Sequence, residues 1–131
     1  MAAVGSILVT CAVLLGGCGD GGGDGGDGDS AAADLSPEAA EGLSVAKANG
    51  CMTCHSVDGR DAVGPTWAGL YGSQVELEDG TTVTADDAYL TRAILQPGDQ
   101  IVKGFRAVMP EREFDDAEVA SLLAYLRALG G

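Results

Sequence analysis

Cys51-Met52-Thr53-Cys54-His55 brings two thiols and an imidazole within five residues. Thiols at this spacing can bind zinc, cycle as a redox dithiol, close a disulfide or be stapled to a porphyrin. A structural zinc site takes four ligands, and no other Cys or His stands between residues 19 and 131 to complete one. A redox dithiol belongs after a strand in a βαβ unit, and no such unit is legible here. A disulfide between Cys51 and Cys54 would leave His55 without a purpose. The remaining chemistry uses all three groups. Two thiols with this separation reach the two vinyl groups of one porphyrin, and the residue that follows lies under the iron as a proximal ligand. The motif therefore predicts one covalently attached haem c, held by Cys51 and Cys54 and ligated by His55.

The second axial ligand follows by elimination. His55 is the single His of the chain, so bis-His ligation within one molecule is impossible. Met52 lies between the two tethered cysteines and cannot reach the other haem face. Met109, directly before Pro110 in a long loop, is the other methionine left once a leader is set aside. A thioether suits haem iron, and a His/Met pair raises its reduction potential. The alternative for Met109 is simple filling of the core. An iron ligated by both His55 and Met109 has no open position, which favours outer-sphere electron transfer over oxygen binding or peroxidase chemistry.

The elements that must position these groups are few. The chain has 131 residues with 20 acidic and 7 basic, a net charge of −13. That balance excludes nucleic acid as a partner and charge-driven docking on anionic lipid. Ser36-Pro37-Glu38 reads as a helix start, with Ser as cap and Pro at the first position. The helix should run to Ala48 and stop at Asn49-Gly50. Residues 58–72 hold five Gly or Pro and read as loop. Val75, Leu77 and Val83 flank Asp79-Gly80, which predicts a short hairpin over 74–84. Ala85 to Gln96 is helical in pattern, with Leu90, Ala93 and Ile94 on its packed side, and Pro97-Gly98 closes it. A loop over 98–114 carries Met109. Asp115 or Asp116 caps a last helix to Leu129, with Val119, Leu122, Leu123, Leu126 and Leu129 on its buried face and Tyr125 on the flank. Three helices with such long loops need something large at their centre. Asp86-Asp87, Glu111, Glu113 and Asp115-Asp116 read as solvated surface and caps, or as a set that steers a basic partner.

Upstream, three readings define the organisation: a leader over 1–18, a tether over 19–35 and a single domain over 36–131. Ile7 to Leu15 is an apolar run, short for a membrane span and suited to the core of a secretory signal, although no basic residue precedes it. Leu15-Gly16-Gly17-Cys18 resembles a bacterial lipoprotein processing site, in which Cys18 becomes the diacylated N-terminus. A plain signal peptide or a retained helix are the alternatives. Residues 19–29 are seven Gly and four Asp, a composition that cannot offset its ordering entropy.

The stretch Gly50 to Leu129 resembles class I c-type cytochromes, and in particular the cytochrome c domain fused to subunit II of some bacterial haem-copper oxidases. The resemblance rests on Gly50 to Gly59 with the haem motif, Val63-Gly64-Pro65-Thr66, Gly69-Leu70-Tyr71-Gly72, Leu77-Glu78-Asp79-Gly80, Ala88-Tyr89-Leu90, Val108-Met109-Pro110 and Ala124-Tyr125-Leu126. It implies an all-α class I cytochrome c fold, with three main helices and long loops around one haem. It implies that the Pro65 carbonyl accepts from the outer nitrogen of His55, and that Met109 is the distal ligand. It implies that Gly42 lets the first helix cross the last one closely, near Tyr125 and Leu126. Two positions depart from the family. Ala46 stands where an aromatic is common in the first helix. Ser73 and Gln74 stand where relatives place an Arg for a haem propionate, leaving Trp67, Tyr71 or a distant Arg for that role, with core packing the alternative for Trp67 and Tyr71.

Together these readings predict an exported, lipid-anchored monomer on the periplasmic or cell-surface side of a bacterial membrane. It would carry one electron between redox partner proteins, an oxidase or another respiratory complex. The alternatives are a haem-based gas or redox sensor, a small haem enzyme, or an accessory subunit held tightly by an oxidase. A chain with no cupredoxin domain and no pair of membrane helices would be a free-standing relative of the oxidase domain.

Overall fold

The computed structural model describes residues 35–106 and 108–130. The leader over 1–18, Cys18 and the 19–35 tether up to residue 34 lie outside the described residues. Among the described residues, no helix is long and apolar enough to cross a membrane.

Among the described residues, three helices and one strand pair make the fold. Helix α1 spans Pro37–Ala48, a 3-10 turn spans Cys51–Thr53, β1 and β2 span Gln74–Glu76 and Thr82–Thr84, α2 spans Asp87–Leu95 and α3 spans Asp116–Leu129. Three main helices, long loops and a short hairpin are the arrangement that the resemblance implied. The ends are set by local chemistry. The Ser36 side chain accepts from the Ala39 amide at 3.2 Å, and Pro37 occupies a first-turn position that needs no donor. Asp115 and Glu118 form a reciprocal capping box at the start of α3. Helix α2 is shorter than the predicted 85–96: the Asp86 side chain accepts from the Tyr89 amide at 2.9 Å as N-cap, so the helix begins at Asp87, and Gln96 is its C-cap. Asp86, Asp115 and Glu118 at these caps, and Asp87 paired with Arg127, serve local structure.

The hairpin is antiparallel with Val75 opposite Val83. Gly80 takes a φ of +85° in its turn, a conformation glycine adopts without strain. The Thr81 amide and hydroxyl both donate to Asp79. The sheet also grips the long loop after α2. Leu77 bridges Val102, the Glu78 amide donates to Ile101 at 2.8 Å and the Lys103 amide to Glu76 at 2.9 Å. The loop that carries Met109 thus starts from a fixed point.

The core lies between α1 and α3. Ala39 and Ala46 are buried on α1, so this helix meets its partner through small side chains. Gly42 sits at the closest approach. A Cβ there would lie 1.9 Å from the Ser121 carbonyl oxygen and 2.9 Å from the Tyr125 Cβ. Tyr125 is 4% exposed and sits within the contact, not on its flank as the helical spacing suggested; Leu129 is only partly buried. The obstruction at Gly42 is backbone, which cannot rotate away. Gly42→Val should therefore destabilise the haem-loaded protein by about 3 kcal/mol or more, lowering the melting temperature by at least about 12 °C for a domain of this size. A melt within two or three degrees of wild type would contradict this close crossing.

Candidate functional site

The site begins where α1 ends. Gly50 at φ +70° turns the chain out of the helix, and the 3-10 turn that follows is closed by amides of Cys54 and His55, both donating to the Cys51 carbonyl at 3.1 and 3.0 Å. Cys51 and Cys54 are unbridged and half-buried. Burial pushes the Cys51 thiol up from its ordinary pKa, with Arg112 acting against the shift. Cys51 is therefore a thiol, not a thiolate, at neutral pH.

His55 is held by the segment 64–67. Its Nδ1 lies 2.8 Å from the Pro65 carbonyl oxygen. A carbonyl only accepts, so Nδ1 carries the proton and Nε2 keeps its lone pair. Burial lowers the imidazole pKa, opposed in part by the Pro65 contact. The result is a neutral ring with one committed nitrogen and one free to bind a metal. The indole of Trp67 stacks on the ring at 5.0 Å between centroids and 21° between planes. Gly64 closes the Cε1 side, where a Cβ would come within 2.6 Å of that atom. The seat itself is laced to the motif: the Gly64 amide donates to Cys54 at 2.9 Å, the Trp67 amide to Ser56 at 2.8 Å, and the Ser56 and Thr66 hydroxyls meet at 2.9 Å.

Cys51, Cys54, His55, Pro65, Trp67 and Met109 all line one cavity of about 750 Å³. That is within the range of cofactor sites, roughly 300–1,000 Å³. Much of the remaining wall is apolar, from Leu70, Val75, Leu90, Ile94, Phe105 and Leu126. Met109 reaches the cavity from the loop after α2 and is 38% exposed at its mouth, beside Val63 and Val108. The structure thus brings together five of the six site residues named from the sequence; Cys18 lies outside the described residues.

The cavity discriminates among ligands. Among the described residues, no group of three His, Cys, Asp or Glu side chains could hold a metal ion. An aliphatic chamber beside two free thiols, one imidazole nitrogen and one thioether fits a large flat apolar group with a metal at its centre, which is a haem.

Three contributions were not legible beforehand. Gly64 was quoted only as part of a motif, although a glycine before the proline is what close approach to a ring demands. Trp67 was left between propionate binding and core packing, and it packs on His55. Tyr89, 8% exposed, lines the cavity where only Leu90, Ala93 and Ile94 were expected. Tyr71 is absent from the cavity wall. Its ring lies under the Arg127 guanidinium at 5.6 Å, in a cluster that includes Asp87. The cations among the cavity-lining residues are Lys103, Arg106 and Arg112, with Lys103 paired to Glu76 at 2.6 Å.

Comparison with known proteins agrees with this reading. The family model described as cytochrome c matches residues 39–130. Cytochrome c2 iso-1 of Magnetospirillum molischianum is 32% identical over 91 residues, covering 62% of this chain and 91% of that protein. Cytochrome c2 iso-2 of Magnetospirillum fulvum is 32% identical over 89 residues, covering 60% and 91%. The solved structure of cytochrome cH from Methylobacterium extorquens superposes with a TM-score of 0.51 at 27% identity, covering 68% of this chain and 96% of that one. With the motif, the cavity and the fold in agreement, the chain belongs to the cytochrome c family: it is a class I c-type cytochrome, an electron carrier with one covalently bound haem c.

Proposed function

We propose that this cytochrome carries single electrons within a respiratory chain while tethered by lipid on Cys18 to the outer face of a membrane. The bound haem supplies the one-electron ferric/ferrous couple. The chain's residues do the rest. Cys51 and Cys54 would hold the haem through thioethers to its vinyl groups, an attachment that consumes each S–H and needs no oxidant. His55 would offer Nε2 to the iron, Pro65 holds its ring through Nδ1, and Met109 would offer its sulfur from the loop after α2. The observation that carries this reading is the Nδ1 contact to Pro65 at 2.8 Å, which leaves Nε2 with its lone pair in a cavity that also receives both thiols and a thioether. Both axial positions would be filled, which favours a carrier over a gas sensor.

The mouth of the cavity suits electron exchange. Val63 and Val108 are 57% and 56% exposed there, giving a partner an apolar contact close to the cofactor. The acceptor would be an oxidase or another respiratory complex. The Gly/Asp composition of 19–29 supports a tether that lets this face reorient.

The test uses the full chain with haem attached. Respiratory membranes from the organism that makes it should reoxidise the reduced protein, and Cys18→Ser should move it from the membrane to the soluble fraction with an unchanged spectrum. Membranes that leave the protein reduced would overturn the respiratory role. A Cys18→Ser protein still bound to membrane would overturn the anchor.

A further inference from the structure

We infer that Trp67 is a positioning residue for the proximal imidazole: its indole face sets the plane of the His55 ring and keeps water from it. The inference rests on His55 being the proximal ligand, as proposed above.

Stacking at 5.0 Å and 21° covers one face of the imidazole with a rigid surface. The Pro65 carbonyl fixes one ring atom, which leaves the ring free to turn about that contact; a flat neighbour removes the freedom. The indole is itself fixed from two directions. Its backbone amide donates to Ser56 at 2.8 Å, and its ring meets the Tyr125 ring edge-on at 6.2 Å and 81°. Tyr125 in turn sits at the α1–α3 crossing, under Gly42. A continuous set of contacts therefore runs from the helix crossing through Tyr125 and Trp67 to His55. At 7% exposure, Trp67 also seals the proximal side from solvent. A tryptophan that merely filled the core could be replaced by another apolar side chain without any effect on the iron.

Two readouts separate these roles, both on haem-loaded full chain. The spread of the haem methyl resonances in the ferric protein reports the orientation of the imidazole plane, and the reduction potential reports the polarity around it. Trp67→Leu should reorder the methyl resonances and shift the ferric-to-ferrous balance about threefold toward ferric, or about 30 mV at 59 mV per tenfold. Trp67→Phe keeps a flat face and should retain the wild-type order. If the Leu variant does not accumulate with haem, Trp67→Met, which adapts to irregular gaps, takes its place with the same expectation. A loaded Leu or Met variant with wild-type resonances and potential overturns the proposal, as does a Phe variant reordered as fully as they are. Failure of His55 as a ligand is read separately: wild-type protein would then lack a low-spin spectrum from the outset.

Discussion

Met109→Ala should yield a protein that still holds its haem and has lost its high potential. Both thioethers and His55 are untouched by the change, and Met109 lies in a loop without regular structure, partly exposed at the cavity mouth. Its removal therefore costs little packing. The electronic effect is large. A thioether stabilises the ferrous state, and axial ligands command a range of about 0.8 V in haem proteins. Replacement by water should lower the potential by on the order of 0.1–0.3 V. The sulfur-to-iron charge-transfer band of the oxidised protein should vanish, and the reduced variant should bind carbon monoxide quickly where wild type does not. Absence of that band in wild-type protein, or rapid carbon monoxide binding by it, would remove Met109 from the iron and revive the sensor reading.

The haem-free chain should be largely unfolded. Leu90, Leu122 and Leu126 face the cavity as well as the core, so the core is incomplete without a group between them. Without that group the apolar wall would stand open to water at about 25 cal/mol per Å², against a whole stability of only about 5–15 kcal/mol for a small domain. Collapse could reclaim the space only by moving the loops over 58–72 and 98–114, and those loops would then lose the surface they pack on. Circular dichroism of chain made without haem attachment should show reduced helix and no cooperative melt. A sharp thermal transition in that material would contradict the central role of the cofactor in the core.

What the sequence disclosed follows from the range of the physics involved. Helix ends at Ser36-Pro37 and Asp115 depend on side chains a few residues away, and so are legible in a linear text. So is the hairpin, because Asp79-Gly80 specifies its own turn. The haem motif is legible because the porphyrin's vinyl groups fix the spacing of Cys51 and Cys54. The stack of Trp67 on His55 is not of this kind. It joins residues 12 apart through a loop whose path is set by the contacts of Ser56, Thr66 and Asp61, and no periodicity announces it. Tyr125 was assigned to a flank for the same reason: helical spacing gives the angle of a side chain about its own axis, not how closely another helix approaches. That approach depends on Gly42, more than 80 residues earlier.

The account stands on covalent attachment, and one measurement reaches it directly. Haem-loaded protein is denatured and extracted with acidified organic solvent, and the intact mass of the polypeptide is recorded. The pigment should stay with the chain, with a mass gain of one haem, and Cys51→Ser with Cys54→Ser should release it. Pigment that leaves wild-type protein for the solvent, or a polypeptide with no added mass, would contradict the account.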